Sequence, residues 1–205
     1  MNVITITNLK GGSAKTTSAA YLAHAFAAQG KSVLIIDADP QGSALQWSEA
    51  GEWDIPTIAL PVKNLHTRLI GIVPLTTDIV IIDTPPLDEQ AGIVYSALRA
   101  ADTIVVTMAP TMMEFGRLPD VWAAIEDTAS LRDTAPTVAV LLNRTITNAN
   151  STPMFRELIT ESGHAVLETT IPRREPIAQA FAAPVTELGK YADAALEINK
   201  LGASK

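Results

Sequence analysis

Uninterrupted apolar runs alternate along nearly the whole chain with stretches whose apolar positions recur every three or four residues. A short apolar run bounded by turn residues is the sequence form of a strand buried on both faces. The three-to-four spacing is that of a helix with one side laid on a sheet. Their alternation predicts repeated βαβ units, and so an α/β fold: a mostly parallel, doubly wound sheet flanked by helices on both faces. Residues 3–7 form the first expected strand, followed by a Gly-rich turn and a helix over 16–29 that buries Ala19, Leu22, Ala23 and Phe26 and stops at Gly30. A second strand is expected over 32–36, a short helix over 43–50, a weaker strand over 57–60 and a helix over 62–70. The strand at 78–82 is cut off by Pro85 and Pro86, which cannot continue a central ladder. Beyond it the pattern gives a helix over 89–99, a strand over 103–108, a helix over 113–128 broken early at Pro119, and a strand over 137–142. A helix over 153–162, a short strand near 165–170 and a terminal helix near 185–201 complete the expectation.

No repeat or long linker divides this pattern, so residues 1–205 are expected to form a single domain. The chain is 47% hydrophobic but only 5% aromatic, which suits aliphatic strands covered by Ala-rich helices rather than a barrel or sandwich. It has no cysteine, which excludes disulfides, thiolate catalysis and cysteine-held zinc or iron–sulfur clusters. The first residues lack the basic and apolar regions of a signal peptide, and no apolar run reaches the ~18–20 residues needed to span a bilayer. A cytoplasmic protein without membrane contact is the expectation. The net charge of −7 opposes a general attraction to nucleic acid, yet it is unevenly spread: residues 141–205 hold seven basic and seven acidic residues and are neutral.

The first strand, the adjacent glycines and the following helix enclose Lys10-Gly11-Gly12-Ser13-Ala14-Lys15-Thr16-Thr17. A loop of this kind turns backbone N–H groups and a helix N-terminus toward an anion, and so suits a polyphosphate. Lys15 would lie against the β- and γ-phosphates, and the Thr16 hydroxyl would complete a Mg²⁺ coordination sphere. The strict pattern G-x-x-x-x-G-K-[ST] is not met, because Leu9 and Ala14 stand at its two glycines. The stretch instead resembles the deviant Walker A form K-G-G-x-G-K-T-[ST] of the ParA/MinD family, with Lys10 in the place of the signature lysine and only Ala14 departing. A methyl there is harmless at negative φ and costly at positive φ.

Asp37, Asp39 and Asp83 all lie at the carboxyl ends of expected strands, where ligands bind in an open parallel sheet. Ile79-Val80-Ile81-Ile82-Asp83 has the form of a strand whose terminal Asp holds Mg²⁺ directly or through water. Asp37-Ala38-Asp39-Pro40-Gln41 resembles the family's D-x-D-P-Q switch. That resemblance gives Asp39 the positioning of the attacking water and Asp37 a place near the metal or in its outer shell. It also implies that Lys10 reaches across a nucleotide-sandwiched homodimer to the partner's ATP. Asn143 resembles the family's adenine-contacting Asn, whose amide can pair with an N6/N7 edge. Pro172 and Arg173 resemble the loop that closes over the base.

Compactness and the D-P-Q switch make the chain similar to plasmid-partition ATPases of the ParA/ParF kind. The resemblance implies ATP and Mg²⁺ as cofactors, an ATP-dependent homodimer, weak basal hydrolysis, nonspecific DNA binding and a ParB-like stimulator carrying the cargo. Arg156, Arg173, Arg174, Lys190 and Lys200 are the candidate DNA contacts. The last residues hold too few bulky apolar side chains for the membrane-inserting helix of MinD-like proteins. Two alternatives stay open: a positioning ATPase for a protein cargo, and a P-loop ligase of the dethiobiotin-synthetase type, a class that lacks the signature lysine.

Overall fold

The structure, a computed structural model, describes residues 1–203. In chain order the elements are β1 (Asn2–Thr7), α1 (Lys15–Ala28), β2 (Val33–Asp37), α2 (Ser43–Ala50), β3 (Thr57–Ala59), α3 (Leu65–Ile72) and β4 (Ile79–Asp83). There follow α4 (Leu87–Ala100), β5 (Thr103–Met108), α5 (Met112–Phe115), α6 (Leu118–Ala129), β6 (Thr137–Leu142), α7 (Ser151–Glu161), α8 (Glu175–Ala178) and α9 (Lys190–Ala203). The six strands lie in the order β3-β2-β4-β1-β5-β6, and every pairing is parallel. This is the expected doubly wound α/β sheet. The chain runs outward from β1 to β3, returns to place β4 beside β1, and then builds the other half. The reversal puts the carboxyl ends of β1, β2 and β4 together at a topological switch point.

Alternate residues of each strand feed opposite layers, as a two-residue side-chain period requires. Ile4, Ile6, Ile35, Ile79 and Ile81 pack with Leu22 and Phe26 of α1 and Tyr191 and Ile198 of α9. On the other face Leu34, Ile36, Val80 and Ile82 meet Leu65 and Leu69 of α3 and Ile93 of α4. Ile104, Val106, Val140 and Leu142 there meet Leu98, Val121, Ile125 and Phe155. The first helix ends as expected. Gly30 has φ +79° and donates to the Ala27 carbonyl at 2.9 Å, while the Lys31 N–H reaches that of Phe26 at 3.2 Å. This crossed pair is a Schellman cap, and its left-handed residue favours glycine.

Two expectations are corrected. Residues 165–170 form no strand: a single bridge joins Val166 to Val140 at the sheet edge. Side chains hold the stretch that follows. The Arg156 guanidinium donates to the carbonyls of Leu167 and Glu168 at 2.7 and 2.9 Å, and the Glu197 carboxylate takes the N–H groups of Glu168 and Thr169 at 2.5 and 3.0 Å. The early break expected at Pro119 in the helix over 113–128 is present: α5 and α6 divide just ahead of it, and Pro119 sits in the first turn of α6, where its missing N–H removes no helical bond. The terminal helix begins at Lys190 rather than near 185, directly after Gly189 at φ +50°.

The α2 helix is anchored by Trp47, which is buried and donates its indole N–H to the Ala183 carbonyl at 2.8 Å. Tyr21, Trp53 and Phe181 ring it, with centroids 5.3–6.3 Å away. Among the described residues no helix is long and apolar enough to cross a membrane.

Candidate functional site

Residues 8–14 link β1 to α1 in a tight loop with two left-handed residues, Gly12 at φ +75° and Ala14 at φ 65°, ψ 28°. Ala14 therefore takes the costly alternative. An L-residue with a Cβ pays roughly 1–2 kcal/mol in this region, where glycine would be at ease. No side chain caps α1, and Ala14 contributes its carbonyl to the Ser18 N–H at 2.9 Å. The first N–H groups of α1 are thus left for an anion. Ser13 is buried and its hydroxyl donates to the Lys10 carbonyl at 3.3 Å; Gly11 is exposed beside Pro86.

The Lys15 ammonium is buried and donates to the Lys10 carbonyl at 2.9 Å. Burial pulls its pKa down, against the opposing charges of Asp83, Asp39, Asp88 and Glu89. The Lys10 side chain is about half exposed and its ammonium pairs with the Asp88 carboxylate at the start of α4. Sequence reasoning missed that partner, and only the pairing of fold elements reveals it.

Asp83 is fully buried, and neither of its oxygens has a hydrogen-bond partner. Its carboxyl is pushed up to about 7, first by burial and then by Asp37 and Asp39, with the neighbouring Thr16 hydroxyl and Lys15 ammonium opposing. Thr16 and Lys15 lie close enough to pull on this titration, yet neither makes a bond of ordinary geometry to it. Orphaned buried carboxylate oxygens are costly, and a divalent cation is the partner that suits them. Thr16 and Asp83 thus fit a Mg²⁺ ion that also holds phosphate oxygens and water, the usual economy of that ion. Among the described residues no group of three or more His, Cys, Asp or Glu could hold a metal alone.

Asp37, expected near the metal or in its outer shell, has the backbone partners that Asp83 lacks. It is buried, and its oxygens accept the N–H groups of Asp39 at 3.1 Å and Leu45 at 2.9 Å, tying β2 to the first turn of α2. Burial raises its pKa while those bonds oppose the shift. Asp39 is half-buried; one of its oxygens accepts the Gln41 N–H at 2.9 Å, and its carbonyl that of Gly42 at 2.9 Å, which shapes the D-P-Q turn.

A cavity of about 590 Å³ opens beside the loop, lined by Ala14 and Thr17 at one end and by Asn143, Pro172, Arg173 and Ile177 at the other. Its volume lies within the ordinary range for small-molecule sites, roughly 300–1,000 Å³. Asn143 is buried and its amide nitrogen donates to Ser18 Oγ at 2.9 Å and Tyr191 Oη at 3.2 Å. Its oxygen already accepts the Arg144 N–H at 2.8 Å. The N6/N7 pairing expected of this amide is therefore narrowed: both donors are occupied, and one lone pair remains to accept from an amino group. The Pro172 segment is held by the Arg173 N–H on the Thr145 carbonyl at 2.8 Å.

Glu114 and Arg144, which sequence reasoning passed over, also line this cavity and pair at 2.8 Å. Arg144 follows Asn143 directly, and that adjacency was the available signal. Of the candidate DNA contacts, Arg156 is committed to the 167–168 backbone and Lys190 pairs with Asp193 at 2.8 Å. Arg173 and Arg174 are exposed on the cavity rim.

Residues 4–185 match the profile of the CobQ/CobB/MinD/ParA nucleotide binding domain. The chain belongs to that family. This nucleotide-binding domain is 37% identical over 120 residues to the "Maintenance of carboxysome distribution protein A" of Gloeobacter kilaueensis, covering 57% of the chain and 53% of that protein. It is 29% identical to the protein of the same name from Halothiobacillus neapolitanus, across 97% of the chain and 93% of the relative. Its fold is shared with cobyrinic acid a,c-diamide synthase from Mycobacterium smegmatis, solved with ADP and magnesium, at a TM-score of 0.78 and 20% identity over 100% of this chain and 96% of that one. As a member of this family the chain carries its nucleotide-binding domain with a left-handed alanine at position 14.

Proposed function

We propose that this chain is an ATP-driven positioning switch that dimerises around ATP and Mg²⁺ and hydrolyses the nucleotide to reset. The observation that carries the reading is Asp83: a fully buried carboxylate without a partner, beside Thr16 and Lys15 at the mouth of a phosphate loop. Bound Mg²⁺ supplies neutralisation of charge on the phosphates. Lys15 and the first N–H groups of α1 hold the phosphates, and Thr16 and Asp83 hold the cation. Asp39 orients the attacking water, and Asn143, Pro172 and Arg173 form the wall against the base. Lys10 acts on the nucleotide of the other subunit, which couples turnover to dimerisation.

Light scattering tests the switch. ATP with Mg²⁺ doubles the mass of the native chain, whereas an unchanged mass rejects the reading. Lys15→Ala abolishes nucleotide binding, and Lys10→Ala retains binding while losing turnover.

The likeness to two proteins named for carboxysome distribution favours a protein compartment as cargo over a plasmid. The matrix for such movement is nonspecific DNA, contacted by Arg173 and Arg174, and a ParB-like cargo adaptor stimulates hydrolysis. The acidic net charge makes the DNA step the one to measure first. Binding across a salt series with ATP, with ADP and without nucleotide is expected to be ATP-dependent and salt-sensitive. Binding that is absent, or indifferent to nucleotide, rejects it.

A further inference from the structure

The start of α4 is stitched to the phosphate loop. The Leu87 N–H donates to the Asn8 carbonyl and the Asp88 N–H to the Leu9 carbonyl, each at 3.2 Å. The Asp88 carboxylate then takes the Lys10 ammonium, while the Lys10 carbonyl takes the Lys15 ammonium at 2.9 Å. Lys10 is thereby gripped at both ends by its own subunit.

The piece that grips it is set apart from its helix. Gln90 has φ −136° and ψ 47°, so residues 87–89 form a turn jointed to the rest of α4 rather than its rigid continuation. Asp88 lies in the first turn rather than at the N-cap, which is Pro86. Its other neighbour is the site itself: Asp88 and Glu89 both act on the Lys15 ammonium through space. A polyphosphate entering the loop competes directly with Asp88 for the Lys10 charge.

We propose that Asp88 is a positioning residue for Lys10, a restraint that keeps the ammonium on its own subunit and off the partner's nucleotide until a dimer forms. The inference rests on the role given to Lys10 above. Both partners are partly exposed, with relative side-chain areas of 48% and 25%. Such a pair is worth up to about 1 kcal/mol, a factor of about five. That strength suits a restraint which the dimer must break.

Two measurements test it. In the nucleotide-free protein, acylation of Lys10 by an amine-reactive ester, followed by peptide mass mapping, is expected to run ~2–5-fold faster in Asp88→Asn. Lys31, at the far end of the sheet, serves as the reference. Asp88→Glu, which restores the charge, returns the rate to that of the native chain. At saturating ATP and Mg²⁺, basal turnover of Asp88→Asn rises by a similar factor without a change in KM, and the rise disappears when Lys10→Ala is added. An unchanged labelling rate, or a turnover gain that persists without Lys10, overturns the proposal. The two layers separate cleanly. If Lys10→Ala alone turns over normally, the role of Lys10 and the restraint fall together. If it loses turnover while Asp88→Asn matches the native chain in both assays, only the restraint falls.

Discussion

The tips of β2 and β4 lie side by side, and their aspartates, Asp37 and Asp83, are register partners in the sheet. Both are buried, and burial raises the pKa of both. They differ in what their oxygens meet. Asp37 receives two backbone N–H groups and so builds the turn that leads into α2, whereas Asp83 receives none. Two identical side chains at equivalent positions therefore differ in their surroundings: one is a joint of the fold, the other is buried with its oxygens unpartnered.

Asp83→Asn should break the comparison most sharply. If Asp83 holds the cation as proposed, its loss is expected to weaken Mg²⁺-dependent ATP binding by more than the ~10–100-fold of outer-shell partners, as read by calorimetry. The same change should stabilise the nucleotide-free fold. With a folded pKa of about 7 against an unfolded value of 3.8, Asp83 keeps its proton in the native state while the unfolded chain releases it. Its penalty therefore grows as pH rises from about 4 and is complete above about 7. The variant should melt several degrees higher than the native chain at pH 8 and at the same temperature near pH 4. A gain independent of pH would show that the unpaired charge is not its source.

Asp37→Ala should act in the opposite sense on stability. It strands the Asp39 and Leu45 N–H groups, both only part-buried, at a combined cost of about 1–3 kcal/mol, the range for one fully buried unsatisfied group. At 2–4 °C per kcal/mol in a chain of this size, the melting temperature should fall by roughly 2–12 °C. Cation-dependent ATP binding should suffer less than in Asp83→Asn; an equal loss would make Asp37 a direct ligand.

The smallest expected effect comes from Ala14→Gly, which relieves the left-handed alanine and leaves both carboxylates alone. Its net gain of about 1 kcal/mol, after the greater freedom of glycine in the unfolded chain, should raise the melting temperature by about 2–4 °C. The slope of stability with pH should not change. A fall in melting temperature would mean that the loop relaxes on mutation.

Most of the sheet was legible because a strand buried on both faces has nothing but apolar residues to show, as in Ile79-Val80-Ile81-Ile82 and Val105-Val106. The segment at 165–170 misled for the complementary reason. Its residues suit a strand, but beyond one bridge to Val140 its hydrogen bonds go to side chains: Arg156 on the preceding helix and Glu197 on the last one. The site divides in the same way. Lys15, Thr16 and Asp83 were readable from local spacing and strand ends. The left-handed turn at Ala14, the grip of Asp88 on Lys10 and the engagement of Asn143 by Tyr191 depend on backbone torsion or on partners far along the chain.

Trp47 rides on the helix that begins where the D-P-Q turn ends, and its indole N–H is bonded to Ala183, a few residues beyond the cavity wall at Ile177 and Ala178. The chromophore thus bridges the segment that follows the D-P-Q turn and the segment that lines the cavity. Relative displacement of the two alters the polarity and hydrogen bonding around the ring. Emission from Trp47, isolated by replacing Trp53 and Trp122 with Phe, would report such a displacement with no dye attached.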